Sequence, residues 1–406
     1  MKRTIAIFLV AFMAMTSLSF ATVTRTKTMG NVGNFLYDDS NIFSWPSTVV
    51  GFSNRFYLEL GEDNIANATY DPAVGPSFPN GFGGGALFGL NEYNHLGFFV
   101  TANDRSNGGG ITDDFFPDGM ALDDFVTLFY GYGAEKVDFG ANLNIGKSRN
   151  ETVAPEAAQS NESVGRMGIQ AGITYWMEED NSLDLAFQFD KTSITDEAWD
   201  GQAVATQSED DGFQNLAVRA RMFWNYTDQV QFVPFVQFMK ANRGVIWDTA
   251  ADADTDRESD KTETTSIDLA LGINHFPSEQ VQVIVVGGIL LESTDLTSQG
   301  EGTGETKDNH IPYIKGGIET ELRSWLDIRA GVEKQLNPEE QKGVGEGASE
   351  AEQTHARFQG FIGAGIHIGD WTIDTQVNPD MFFNGPNFIS GQVANLNTRV
   401  SLVRPW

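Results

Sequence analysis

From about residue 48 to the C-terminus, apolar and polar residues alternate one by one within segments, and the links between segments alternate between short and long. A period of two marks a β-strand with two unlike faces. Strands are expected at 48–60, 83–90, 95–103, 124–133, 137–147, 165–177, 182–192, 212–225, 230–242, 264–275, 281–293, 309–323, 325–336, 354–368, 371–378 and 391–404. The short links fall at 91–94, 134–136, 178–181, 227–229, 277–280, 323–324 and 369–370, and the long ones near 61–82, 103–123, 148–164, 193–211, 243–263, 294–308, 337–353 and 379–390. A soluble sandwich has no reason to sort its loops by length in this way. The expected fold is all-β: a transmembrane antiparallel barrel of about sixteen strands, with short periplasmic turns and long acidic extracellular loops.

Several segments display both faces. Leu326, Ile328, Ala330 and Val332 alternate with Asp327, Arg329, Gly331 and Glu333, and Leu183, Leu185, Phe187 and Phe189 alternate with Asp184, Ala186, Gln188 and Asp190. In a sandwich the apolar set would point inward; in a barrel it meets lipid and the charges meet the lumen. Tyr132, Tyr175, Trp176, Trp224, Tyr226, Phe276, Trp325, Trp371 and Trp406 lie close to short turns or the C-terminus, as an interfacial aromatic belt requires. The 281–293 strand is apolar on both faces, and the 230–242 strand carries Pro234 and large residues on each face, so a subunit contact or an inward-folded loop is expected there.

Residues 1–21 combine Lys2 and Arg3, an apolar run and a Ser19-Phe20-Ala21 ending, the pattern of a secretory signal cleaved after Ala21. Residues 22–47 read as an N-terminal periplasmic or lumenal segment, and 48–406 as the barrel. The chain has no Cys, which excludes disulfides and a lipidated N-terminus. Past the leader no apolar run reaches the length a spanning helix needs. A formal charge of −30 makes nucleic acid an unsuitable partner. The expected compartment is the bacterial outer membrane, and the expected partners are its lipid, small solutes and ions, and further copies of the chain, as a trimer.

Three resemblances follow from these residues. The aromatic Trp406 ending the last strand resembles the assembly signal of bacterial outer-membrane barrels, from which Pro405 and Arg404 depart. The spacing of Asp39-Ser40, Phe43 and Pro46-Ser47 is similar to a stretch near the start of the outer-membrane long-chain fatty-acid transporter family, although Trp45 stands where that family usually has Asn. That resemblance implies a lumen plugged by the N-terminal segment. By architecture the barrel resembles the general diffusion porins, which implies a passive channel, often trimeric. Barrels of 16 to 18 strands are also wide enough to leave an aqueous channel. The leading expectation is a porin passing small hydrophilic solutes and ions. The alternatives are a fatty-acid-transporter-like barrel moving hydrophobic ligands past an N-terminal plug, and a structural or adhesive surface barrel.

For a water-filled wall the charged residues at lumenal positions are the candidates: Arg55, Arg166, Arg219, Arg221, Lys315, Arg329, Arg357 and Arg399, with Glu59, Asp138, Asp184, Asp190, Asp268, Glu319, Asp327 and Glu333. In the 103–123 loop, Phe115 and Phe116 stand among Asp113, Asp114 and Asp118, a composition suited to a constriction or to a latch on a neighbouring subunit. Asp252, Asp254, Asp256 and Glu263 have part of the spacing of a calcium loop, but Arg257 holds the position that needs Gly, so a solvated acidic loop is the better reading. The five His residues form no catalytic or ligand pattern, so neither a cofactor nor an enzymatic activity is expected.

Overall fold

The computed structural model describes residues 22–61, 81–103, 124–153, 159–177, 181–199, 204–210, 214–249, 258–298, 304–344, 350–377 and 397–406. Its strands are β1 (Arg55–Gly61), β2 (Gly81–Gly89), β3 (Asn94–Asn103), β4 (Asp124–Gly133), β5 (Val137–Val153), β6 (Gln159–Trp176), β7 (Ser182–Trp199), β8 (Val204–Asp210) and β9 (Gln214–Thr227). They continue as β10 (Val230–Thr249), β11 (Glu258–Ser278), β12 (Val281–Ser298), β13 (Gly304–Arg323), β14 (Leu326–Val344), β15 (Glu350–Ile368), β16 (Trp371–Val377) and β17 (Asn397–Pro405).

Each strand pairs antiparallel with its neighbours, and β1 pairs with both β2 and β17, so the sheet closes on itself. At the seam Leu58 faces Leu402 and Arg55 faces Pro405. The strands β8 and β9 share one lane: both lie between β7 and β10, β8 beside Thr195–Trp199 and β9 beside Ser182–Lys191. Seventeen segments, less one for the shared lane, thus fill sixteen lanes. Closure gives every strand a paired neighbour on each side and so leaves no open edge strand, as hydrocarbon demands.

The side chains are inside out relative to a soluble protein. Ile169, Ile173, Leu185, Phe187, Leu269, Leu271, Ile328 and Val332 are exposed on the outer face, while Asp184, Arg221, Arg329 and Asp374 are buried within. Tyr132, Tyr175, Trp224, Tyr226, Trp325 and Trp406 are exposed near the short turns, as an interfacial belt requires. Trp176 is a correction to that belt: its indole N–H donates to Asp138 at 2.7 Å and its ring meets Tyr37, so it faces the lumen.

The first strand starts at Arg55 rather than at residue 48. Pro46–Val50 is a 3-10 turn with Pro46 at its start, and its buried Val49 packs inside the barrel instead of extending the sheet. Several strands run longer than their alternation suggests, β11 from Glu258 and β14 to Val344 among them. Beyond the apolar band both faces of a strand meet water, so the ladder continues without a hydrophobic pattern to reveal it. The segment β8 is missed for the same reason: Val204-Ala205-Thr206-Gln207-Ser208-Glu209-Asp210 has no two-faced alternation.

Candidate functional site

The interior holds the N-terminal segment. Residues 22–54 form a short helix α1 (Val23–Thr28) and 3-10 turns at Gly33–Phe35, Asp39–Phe43 and Pro46–Val50. The chain then passes Asn54, whose carbonyl accepts from the Trp406 amide at 3.1 Å, and enters β1. Helix α1 lies against β14, β15, β16 and β17; the turn at Gly33–Phe35 lies against β10 and β11; the turn at Pro46–Val50 lies against β3 to β6. The segment therefore bridges opposite walls of the lumen.

Two apolar clusters fix it. Met29, Val32, Phe35, Leu36 and Trp45 pack on Phe223, Val233, Phe235, Ile284, Val286 and Tyr313. Ile42, Phe43, Val49 and Phe52 pack on Tyr57, Leu87, Phe99, Phe129 and Val403, with Phe43 edge-on to Phe99 at 5.1 Å and to Phe129 at 5.5 Å. This accounts for the apolar inner faces of β10 and β12. Their partner is the N-terminal segment, in place of the subunit contact or inward-folded loop that their composition suggests. Close approach also requires small residues on the wall: a Cβ on Gly140 would overlap the Pro46 carbonyl, and one on Gly331 would overlap the Gly30 backbone.

Polar anchors hold the segment at its middle and near its start. Arg221 donates to Asp184 at 2.7 Å, to the carbonyls of Asn34 and Leu36 at 3.1 Å each, and to Asn41 Oδ1 at 2.9 Å. Its guanidinium also lies over the Trp45 and Phe223 rings, 4.3 and 4.7 Å from their centroids. Near the start of the segment Arg25 forks onto Glu319 with two contacts of 2.7 Å, and Glu319 also accepts from Arg329. Arg329 reaches Asp374 at 2.5 Å and Asp327 at 3.4 Å, and His367 Nε2 stands 2.8 Å from Asp327. Glu319 lies near the Arg323 end of β13 and Arg329 near the Leu326 start of β14, so this anchor sits in the short-turn half of the barrel.

The remaining charged wall candidates take up the following places. Arg55 pairs with Asp39 of the segment at 3.3 Å, Glu59 accepts from Thr24 and Ser401, and Glu333 accepts from Asn31 at 2.7 Å and pairs with Lys315 at 3.2 Å. Arg219 donates to Gln237, Gln188 and the Ser44 carbonyl, Arg166 pairs with Asp190 at 3.3 Å, and Asp268 accepts from Tyr313 at 2.8 Å. Asp138 receives the Trp176 indole, and Arg399 is buried. Arg357 is exposed, at the strand position opposite Gln335. Most of these charges are thus engaged with the N-terminal segment or with one another. Asp113, Asp114, Phe115, Phe116 and Asp118 lie outside the described residues, as do Asp252, Asp254 and Asp256; Glu263 pairs with Lys240 at 2.5 Å.

Sequence reasoning missed Thr22, Thr24, Arg25, Asn31, Asp38, Asn41 and Trp45 as site residues. The signal for them was indirect: apolar inner faces on β10 and β12 need an apolar partner, and Met29, Val32, Phe35, Leu36 and Trp45 supply it.

Fold and interior together define a transmembrane β-barrel whose own N-terminal segment occupies its lumen. No protein-family model matches the sequence, and no curated protein matches it. Among solved structures it is similar to the toluene transporter TodX of Pseudomonas putida, at 11% identity over 95% of this chain and 98% of that one, with a TM-score of 0.44. The toluene transporter TbuX of Ralstonia pickettii is 9% identical over 93% of this chain and 95% of its own, with a TM-score of 0.40. The alcaligin outer membrane receptor FauA of Bordetella pertussis is 9% identical with a TM-score of 0.44; 79% of this chain is covered but it spans only 59% of FauA.

Proposed function

We propose that the protein is an outer-membrane transporter, closed at rest by its N-terminal plug, that passes a small hydrophobic ligand. The observation that carries this reading is the seating of residues 22–54 across the lumen, with apolar contacts on both walls. A general diffusion channel needs a continuous hydrated wall, whereas here Arg219, Arg221, Glu319 and Arg329 are buried beside the plug. Phe99, Phe129, Phe235 and Ile284 are covered by the plug at rest, so on this reading they meet a hydrophobic ligand as the plug gives way, and they do nothing for a hydrated ion.

Proteoliposomes containing the intact protein test the choice. A hydrophobic fluorescent ligand should cross faster than into empty vesicles, while the vesicles resist swelling in an isotonic pentose. Rapid swelling without ligand transfer would favour the water-filled porin, and neither activity would favour a structural surface barrel.

A further inference from the structure

We propose that removal of the leader after Ala21 leaves a charged α-ammonium on Thr22 that pairs with Asp374, adding the new N-terminus to the cations of the lumenal anchor. Cleavage would then complete the plug as well as release the leader.

The argument starts from charge. The anchor links four carboxylates, Asp38, Glu319, Asp327 and Asp374, through two arginines, Arg25 and Arg329. Even with His367 protonated beside Asp327, the cluster keeps one negative charge more than it has cations. Buried charges are tolerated only when they are compensated. Asp374 is fully buried and divides its two oxygens: Oδ1 receives Arg329, and Oδ2 accepts the Thr22 hydroxyl at 2.8 Å. Within one threonine the backbone nitrogen and Oγ1 are separated by only three bonds, about 4 Å or less. That places the Thr22 nitrogen within about 7 Å of the carboxylate oxygen that has no contacting cation, near enough for a small rotation of the freed terminus to bring an ammonium onto it.

Thr22 is also the N-cap of α1, its hydroxyl accepting from the Arg25 amide at 3.1 Å. An ammonium at a helix N-terminus faces the positive end of the peptide dipoles, and Asp374 offsets that repulsion. The chemistry is a hydrolysis. Water adds across the Ala21–Thr22 amide, a signal peptidase breaks the C–N bond, Ala21 departs as a carboxylate, and the Thr22 amine takes up a proton. Before cleavage that nitrogen is a neutral amide and cannot supply the charge.

The inference rests on leader removal and not on which ligand the barrel passes, so it fails or stands separately from the transport reading. The mature protein, purified from membranes, is sequenced from its N-terminus and treated with an amine-reactive ester at pH 7; labelling of the N-terminal peptide is followed by mass spectrometry. The first residue should be Thr22, and its α-amine should label at least tenfold more slowly than in denatured protein and tenfold more slowly than in Asp374→Asn. A second variant, with one Ala inserted between Ala21 and Thr22, moves the ammonium away from Asp374 and keeps the test decisive if Asp374→Asn does not assemble. It should label as fast as denatured protein. A different first residue, or folded wild-type protein labelling as fast as either variant, overturns the proposal.

Discussion

Arg221 concentrates more of the plug's attachment than any other described wall residue, with an ion pair, three hydrogen bonds to the segment and two aromatic faces on one guanidinium. Replacing it by Ala leaves Asp184 buried without its cation, a change that costs about 3–5 kcal/mol in comparable pairs. Arg221→Ala should therefore expose the Thr22–Asn54 segment to added protease while the barrel stays intact on a gel, and Arg221→Lys should rescue only part, because Lys cannot reproduce the fork. Unchanged protection in Arg221→Ala would remove Arg221 from the anchor. A second residue gives a pH dependence. Burial pushes the Asp38 carboxyl up to about 6, against Arg25 and Ser40, which favour its charged form. A carboxyl with a raised value binds its proton more tightly when docked, so its contribution is complete below the unfolded value near 4 and is lost as pH rises through about 6. Protection of the plug from protease should be greater at pH 5 than at pH 8, and the difference should shrink in Asp38→Asn. Equal protection at both pH values in wild-type protein would contradict this.

The strands were legible because alternation is a local property: Leu183 to Asp190 in β7 and Leu326 to Glu333 in β14 reveal their two faces without reference to the rest of the chain. What the interior contains was not legible, since Phe235 in β10 and Ile284 in β12 read the same whether their partner is a subunit, a loop or the N-terminus. The short elements of residues 22–54 are stabilised by contacts far away in sequence, such as the Asn142 amide donating to the Ile42 carbonyl and the Asn274 amide donating to the Phe35 carbonyl, which no local pattern encodes. The wall glycines were equally silent, because their role appears only when Pro46 and Gly30 are seated against them. Gly140→Leu should displace the Pro46–Val50 turn with little effect on barrel assembly, since the added side chain points into the lumen. Raised conductance with a normal heat-modifiable gel shift is the expected result; an unassembled barrel would show that Gly140 serves the sheet itself.

At the scale of the molecule, a sixteen-lane barrel is wide enough for an aqueous pore, and the N-terminal segment is what stands in it. The segment joins β1 at the short-turn end, beside Trp406, and ties β3–β6 to β10–β11 and β14–β17 across the interior. On the proposed reading, this segment is what would separate a gated transporter from a permanently open sieve. Planar-bilayer conductance compares the two most directly, with the intact protein measured against a variant lacking residues 22–50. The intact chain should conduct at least tenfold less than the deletion variant, which should behave as an open pore. Equal, large conductance from both proteins would contradict the account, since the N-terminal segment would then leave the aqueous path clear.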